Sequence, residues 1–113
     1  MKVYISGKIS GLPKQEAWCK FAIHAGKLKR AGHTVINPVT IDRMLPGLDW
    51  KAYMTIAYGI LHDPSIDAIY MLKDWTESAG AIIEWSWAQA AEIPTYFQDP
   101  AHYVKYGGVT HDL

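Results

Sequence analysis

Cysteine is nearly absent from the sequence, since Cys19 is the single one among 113 residues. One thiol permits neither an intramolecular disulfide nor a cysteine-based zinc site, and this usage is typical of a reducing compartment. No stretch approaches the roughly 18 consecutive apolar residues that a membrane span needs. The first residues also lack the apolar core of a secretion signal. We therefore expect a cytoplasmic protein with no membrane partner.

The sequence also lacks an excess of charge of either sign. Eleven basic and eleven acidic residues cancel, and no segment forms a basic block, so the charge pattern does not favour binding to a nucleic-acid polymer. The histidines show no close metal-ligand spacing, and we expect neither a metal nor another cofactor.

Hydrophobic and aromatic residues are abundant by contrast. Half of the chain is hydrophobic, and it carries five tryptophans and seven tyrosines. This composition is sufficient for the core of one domain spanning residues 1–113. Aromatic residues are also enriched at protein interfaces, so we expect a homodimer or a higher homo-oligomer.

Strand and helix patterns alternate along the chain. Short apolar, β-branched runs predict strands at residues 2–6, 33–38, 66–72 and 93–97. Apolar residues spaced by three and four predict helices at residues 15–31, 49–61 and 78–91, with Gly32 just beyond the end of the first. Residues 39–49 are expected to form an irregular loop. The core is expected over residues 2–97, followed by an irregular tail at 98–113.

This alternation predicts an α/β three-layer sandwich of the flavodoxin or Rossmann type. Parallel βαβ units with right-handed crossovers would form a sheet of four or five strands with helices on both faces. Ligands of such sheets bind at the carboxyl ends of the strands, near the point where the strand order reverses. The stretches at those ends are residues 6–11, 37–40, 73–80 and those after 97.

Two of these stretches permit both a binding and a purely structural interpretation. The first, "SGKISG", matches neither the P-loop nor the dinucleotide fingerprint. Its backbone N–H groups, including that of Gly7, and the charge of Lys8 are suited to an anion, but a plain glycine turn explains the pattern equally well. Asn37 precedes a proline at the end of the second strand, and is either a ligand contact or a turn former.

Ser78 and Gly80 open the helix predicted at residues 78–91. Serine is a preferred N-cap residue, and capping alone would explain Ser78. The positive end of a helix also attracts anions, and Gly80 would allow a ligand to approach closely. The two interpretations are compatible.

Glu84 interrupts the apolar pattern of the same helix. It shares one face with Gly80, Trp87, Ala88 and Ala91, and that stripe is otherwise apolar. If Glu84 points inward it is a semi-buried carboxylate near a strand-end crevice, where groups with perturbed pKa values are candidates for function. Alternatively it pairs with a lysine or faces solvent.

Two aspartates precede the third predicted strand. Asp67 is expected to take part in hydrogen bonding at the strand end. Asp63 is either a second acid close to the crevice or part of a plain Asp-Pro turn.

In combination these motifs resemble a known enzyme superfamily. "KVYISGKISGLP", "AGHTVINP", "DAIYMLKDW" and "SAGAIIEWSWAQA" are similar, in this order, to segments of the nucleoside 2-deoxyribosyltransferase-like superfamily, and in particular to small phage and bacterial members. The similarity runs from about residue 2 to residue 97. The superfamily includes deoxynucleoside 5′-monophosphate N-glycosidases, which share the spacing seen here between Ser78, Gly80 and Glu84.

The resemblance implies a reaction at an N-glycosidic bond. A glutamate at the position of Glu84 attacks C1′ of a deoxyribose, the base leaves, and water or a second base resolves the glycosyl ester. Retaining glycosidases use a carboxylate in the same way. The resemblance also implies a homodimer or higher assembly, in which a partner subunit closes the site. The residues that it implies contact the nucleoside or nucleotide are Tyr4, Gly7, Lys8, Asn37, Ser78 and Gly80.

The sequence departs from the active members at one place. Those members carry an assisting aspartate on the helix before the third strand, where this chain has "AYG" at residues 57–59. Asp63 is the nearest acid in the sequence, and we expect it to replace the missing one. If no acid does so, the chain is a weak enzyme or an inactive nucleotide-binding sensor. A third possibility is an interaction protein that uses its aromatic surface.

Overall fold

The centre of the protein is a parallel sheet of four short strands, seen in a computed structural model that describes residues 1–110 and 113. The strands are β1 (Lys2–Ser6), β2 (Thr34–Ile36), β3 (Ala68–Met71) and β4 (Thr95–Phe97). They lie in the order β2-β1-β3-β4, and each neighbouring pair is parallel. The predicted α/β class is therefore confirmed, with four strands.

Helices cover both faces of this sheet. They are α1 (Lys14–Arg30), α2 (Val39–Met44), α3 (Trp50–Leu61), α4 (Ala79–Ala90) and α5 (Ala101–Tyr106). One apolar cluster joins α1 to one face, through Phe21, Ala25 and Leu28. A second joins α3 and α4 to the other face, through Leu61 and Ala88. The result is the three-layer arrangement that the alternating pattern predicts.

Strand β1 sends successive side chains to opposite faces, as the two-residue period of a strand requires. Val3 and Ile5 belong to the cluster beneath α1. Tyr4 belongs to the cluster on the other face, beneath α3 and α4. Ser6 therefore lies on the same face as Tyr4, and both polar groups point towards α4.

The long helices begin and end within about a residue of the positions expected from the sequence. Asp49 caps α3 and Ser78 caps α4, because each side chain accepts a hydrogen bond from a backbone N–H three residues later. Gly32 follows α1 with a φ of +95°, a conformation that glycine adopts without strain. Asp67 accepts a hydrogen bond from the backbone of Lys2, as expected for a strand end.

Two short helices correct the sequence prediction. Residues 39–49 were expected to be irregular but contain α2, and the tail from residue 98 contains α5. Each follows an Asx-Pro pair: Asn37 accepts a hydrogen bond from the N–H of Val39, and Asp99 accepts one from Ala101. Six residues are too few to show helical periodicity, which explains the error. Residues 111 and 112 of the predicted tail lie outside the described residues.

The strand order reverses between β1 and β3. From β1 the chain moves outward to β2, and it then crosses to β3 and continues outward to β4. The loops that follow β1 and β3 therefore diverge at their carboxyl ends and leave a crevice there. Within residues 1–110 and 113, no helix has the length and apolar character to cross a membrane.

Candidate active site

Glu84 points into the protein from the middle of α4. Residues three and four apart share a helix face, and Ala81, Glu84 and Ala88 are the buried residues of this helix. The Glu84 side chain is only 4% exposed. The ion pairs of the described residues join Lys20 to Asp74 and His102 to Asp99, so Glu84 is buried without a cationic partner.

Two hydroxyl groups from β1 hold the carboxylate of Glu84. The Tyr4 hydroxyl donates to Oε2, and the Ser6 Oγ donates to Oε1 at 2.8 Å. Both donors are fully buried. Burial, followed by the nearby charge of Glu84, raises the pKa of Tyr4 well above its usual value, so this hydroxyl keeps its proton and remains a donor.

Burial also controls the acidity of Glu84 itself. Desolvation raises the pKa of Glu84 from 4.5 to about 7, although the hydrogen bonds from Tyr4 and Ser6 act in the opposite direction. A carboxylate with this pKa exchanges its proton near neutral pH. It is therefore available as an ionised nucleophile over part of the physiological range.

The carboxylate of Glu84 faces a cavity of about 280 Å³, which we call the Glu84 cavity. Three walls enclose it: the loop after β1 with the start of α1, the segment from α2 to α3, and the first turns of α4. Gly7 and Trp18 belong to the first wall, Asp42 and Tyr53 to the second, and Ser78 and Gly80 to the third. The volume lies just below the range of about 300–1,000 Å³ that is usual for small-molecule sites.

The loop after β1 is tied to the loop after β3 at the edge of this cavity. Lys20 forms an ion pair with Asp74 at 2.6 Å and also donates to the carbonyl of Lys8 at 2.6 Å. Asp74 in turn accepts from the backbone N–H of Lys8. A Cβ at Gly7 would stand 2.9 Å from the Cβ of Leu72, so only glycine permits this close approach.

Ser78 and Gly80 form the part of the cavity wall closest to the start of α4. Ser78 Oγ accepts from the N–H of Ala81, which confirms its capping role and leaves the hydroxyl hydrogen free to donate. A Cβ at Gly80 would lie 3.3 Å from Met54 Sδ and 3.5 Å from Trp50 Nε1. Glycine therefore keeps this wall open next to Ser78.

Three of the six predicted substrate-binding residues do not line the Glu84 cavity. The backbone of Lys8 is held by Asp74 and Lys20, outside the cavity lining. The side chain of Asn37 is engaged in the turn that starts α2. Tyr4 reaches the site from beneath, as a hydrogen-bond donor to Glu84 and not as a wall of the cavity.

Asp63 requires a correction, because the structure does not bring it to Glu84. It precedes β3 and so lies at the amino ends of the parallel strands, whereas Glu84 faces their carboxyl ends. Its carboxylate accepts from the N–H of Ser65 at 2.8 Å, in the Asp-Pro turn that was the alternative interpretation. Hydrogen bonding by the Ser65 side chain, followed by that of its backbone N–H, lowers the pKa of Asp63, which is exposed.

Sequence reasoning missed Ser6, Asp42 and Tyr53. The signal for Ser6 was its two-residue spacing from Tyr4, which places both on one face of β1. Tyr53, on α3, borders the cavity, where its buried hydroxyl makes no hydrogen bond of normal geometry. Asp42 lies on the short helix α2, which the sequence did not predict.

No group of three His, Cys, Asp or Glu side chains in the described part of the chain is arranged to hold a metal ion. A protein-family model, described as "Domain of unknown function (DUF4406)", matches residues 1–97. No curated protein and no solved structure matches the chain.

Proposed function

The chain belongs to the DUF4406 family, and we propose that it cleaves or transfers at the N-glycosidic bond of a deoxynucleoside or a deoxynucleoside 5′-monophosphate. The observation that carries this proposal is the environment of Glu84. A carboxylate that is 4% exposed, held by two hydroxyl donors and facing a cavity is suited to nucleophilic work. The motif resemblance described above gives that work a reaction class.

In the proposed reaction an oxygen of Glu84 forms a bond to C1′ of the sugar. The bond between C1′ and the base nitrogen breaks, its electron pair leaves with the base, and the base takes up a proton. Water then releases the sugar, or a second base attacks C1′ and forms a new nucleoside. Both routes regenerate the free carboxylate, as in retaining glycosidases.

Tyr4 and Ser6 have a defined part in this reaction. Their hydrogen bonds fix both oxygens of Glu84, so the nucleophile loses little orientational freedom when the substrate arrives. The same hydrogen bonds favour the ionised form of Glu84, whereas desolvation raises the pKa of Glu84. The carboxylate loses its negative charge as it bonds to C1′, so the two hydrogen bonds weaken during the attack. The donors therefore keep Glu84 ionised, but they also reduce its nucleophilicity.

Ser78 and Gly80 are proposed to contact the sugar. The free hydroxyl hydrogen of Ser78 is suited to a 5′-hydroxyl or a 5′-phosphate oxygen. Gly80 leaves space for the ring beside Met54 and Trp50. Gly7 borders the same cavity, and a bound sugar would lie between these two walls.

The experiment is a base-release assay on a panel of deoxynucleosides and their 5′-monophosphates, read by chromatography. We expect base release by the wild type and none by Glu84→Gln. Glu92 is exposed and lies two residues beyond the end of α4. Glu92→Gln is therefore the matched control and should retain activity. Absence of release above the Glu84→Gln background for every substrate would refute the proposal.

A 2-fluoro-arabinosyl nucleoside provides an independent check of the nucleophile. The fluorine disfavours the oxocarbenium-like transition states and allows the glycosyl ester to accumulate. Mass spectrometry of a digest should locate the added sugar on Glu84. Labelling of another residue would contradict the role assigned to Glu84.

A second candidate is a nucleotide-binding protein of the same fold with little or no turnover. The observation in its favour is that residues 57–59 contain no acid, although the resemblance implies one there, while Asp63 lies elsewhere. This candidate predicts that a nucleotide raises the melting temperature, because it binds only the folded chain. Stabilisation without base release would support it over the enzyme.

The remaining expectations about assembly and location are part of the same proposal. A homodimer or larger homo-oligomer would place a partner subunit next to the cavity. The cytoplasm remains the proposed location, in keeping with the free thiol of Cys19.

A further inference from the structure

The proposed reaction requires a proton for the departing base, and the Glu84 cavity contains one more carboxyl group. Asp42 lies in the first turn of α2 and lines the cavity together with the first turns of α4. Of the acids in the described residues, only Asp42 and Glu84 line this cavity. A shared cavity allows one bound nucleoside to touch both.

Tyr53 lies close enough to both carboxyl groups to be affected by their charges. Its pKa is raised above the usual value by burial first, and then by the negative charges of Glu84 and Asp42. The Tyr53 hydroxyl therefore lies within electrostatic reach of both groups. Asp42, Tyr53 and Glu84 all line the Glu84 cavity, so one ligand in the cavity can contact both carboxyl groups.

Asp42 is free for such a task within the described chain. It belongs to neither of the ion pairs, and no hydrogen bond occupies its carboxylate. Lys14 is the charged group of opposite sign on the cavity wall, and it forms no ion pair with Asp42. The alternative acids are engaged elsewhere: Asp74 pairs with Lys20, and Asp63 caps its own turn.

We propose that Asp42 is the general acid that protonates the leaving base when Glu84 attacks the sugar. This inference rests on the proposed function and adds to it the residue that replaces the acid missing from residues 57–59. A proton moves from the Asp42 carboxyl to a ring nitrogen of the base as the C1′–N bond breaks and the Glu84–C1′ bond forms. In the second half-reaction the Asp42 carboxylate takes a proton from the attacking water or base.

The surroundings of Asp42 are suited to a bound base. Asp42 is half-buried and shares the cavity lining with the aromatic side chains of Trp18 and Tyr53. A base bound in the cavity would cover Asp42 and exclude water from it.

The test compares two substrates that differ in their need for an acid. The base of 2′-deoxyguanosine leaves poorly without protonation, whereas that of 7-methyl-2′-deoxyguanosine is already cationic and leaves as a neutral molecule. We expect Asp42→Asn to slow base release from the first by about 10²–10⁴-fold, the usual contribution of a general acid. Release from the second should stay within about threefold of the wild type, which also shows that the variant is folded.

Two further variants complete the design. Asp63→Asn removes the exposed acid at the other end of the sheet and should leave release from both substrates unchanged. Asp42→Glu keeps a carboxyl group and should recover part of the loss on 2′-deoxyguanosine. If the wild type acts only on pyrimidines, 2′-deoxyuridine and 5-fluoro-2′-deoxyuridine replace the purine pair, because the more acidic fluorinated base depends less on protonation.

The outcomes separate this inference from the proposed function. Equal losses on both substrates would make Asp42 a structural or binding residue and overturn the inference, as would an unchanged rate on both. Wild-type activity confined to the methylated substrate would support Glu84 as nucleophile and exclude a working acid. No base release from any substrate by the wild type would refute both proposals.

Discussion

At the scale of single residues, Glu84 combines burial with the absence of a cationic partner. Such a group is costly in its ionised form, because it has lost water and gained only neutral hydrogen-bond donors. The hydroxyls of Tyr4 and Ser6 reduce the cost without removing it, and the pKa near 7 reflects the remainder. The site is therefore maintained at the expense of stability, which is common for catalytic groups.

The first prediction concerns the pH dependence of that cost. Between about pH 4.5 and pH 7 the unfolded chain has released the Glu84 proton and the folded chain has kept it, so the free energy of unfolding falls as the pH rises. The full effect is about 3 kcal/mol. Glu84→Gln removes it, and the variant should gain stability over the wild type as the pH is raised from 5 to 8.

Urea unfolding at pH 5 and pH 8 measures this effect. Glu92→Gln, at an exposed position, should show the same difference from the wild type at both pH values. A Glu84→Gln advantage that is constant with pH, or that shrinks as the pH rises, would mean that the Glu84 pKa is not raised.

The second residue-scale prediction concerns Tyr4. Its hydrogen bond lowers the pKa of Glu84, so Tyr4→Phe should raise that pKa further. The ascending limb of kcat/KM against pH, which reports the ionisation of the free enzyme's nucleophile, should move to higher pH. Carboxyl ¹³C NMR of Glu84 measures the same shift without turnover. Tyr106→Phe, on α5 and outside the linings of the cavity and of the groove between α3 and α4, is the control. Equal titrations of the two variants would exclude the assigned role of Tyr4.

At the scale of elements, the two glycines inside the long helices of one face have different roles. Gly59 in α3 has nothing within 4 Å of the position of an added Cβ, whereas a Cβ at Gly80 in α4 meets Met54 and Trp50 on the cavity wall. Both positions have ordinary helical φ values. Gly59 is therefore a site where glycine only weakens the helix, and Gly80 is a site where it keeps space open.

Alanine at each position tests this difference. Gly59→Ala should raise the free energy of unfolding by up to about 1 kcal/mol and leave catalysis unchanged. Gly80→Ala should have a small effect on the melting temperature but slow base release by about 10- to 100-fold through misplacement of the sugar. Thermal melts and the base-release assay check both. Equal activities of the two variants would remove Gly80 from the site.

The short helices also belong to this scale. Both α2 and α5 were missed by the sequence analysis because six residues do not reveal a period of 3.6. The Asx-Pro pairs at Asn37 and Asp99 were visible, and each side chain accepts a hydrogen bond from the first turn of its helix. This error affected the prediction of the site, because the unpredicted helix α2 carries Asp42, which lines the Glu84 cavity.

At the scale of the whole molecule, an apolar groove between α3 and α4 continues the Glu84 cavity. Its lining consists of the apolar and aromatic residues Trp50, Met54, Tyr58, Ile83 and Trp87, together with Lys51 and Thr55. Trp50 and Met54 also line the cavity. Trp50 and Tyr58 are each about half exposed. Exposed apolar surface of this kind is typical of an interface, and a partner bound here would close the cavity.

The corresponding prediction is that the protein is a dimer through this groove. Light scattering should give twice the chain mass of 12.7 kDa for the wild type and the mass of one chain for Tyr58→Glu, which places a charge in the apolar contact. Val104→Glu, at a position that is 91% exposed on α5, should remain a dimer. A monomeric wild type, or a dimeric Tyr58→Glu variant, would exclude this interface.

The amino-acid sequence by itself determined the order of the strands and long helices and most of their apolar faces. The alternation follows from spacings of two, three and four residues, which are local properties, and the Ser78 cap follows from the residue type at the start of α4. The same spacings placed Glu84 on an apolar face of its helix but left open whether it points inward. The tertiary structure decided which distant groups meet. It placed Tyr4 and Ser6 on Glu84 across about eighty residues, excluded Asp63 and brought in Asp42. The reason is that the order and parallel direction of the strands determine which loops share an end of the sheet, and no local pattern contains that information.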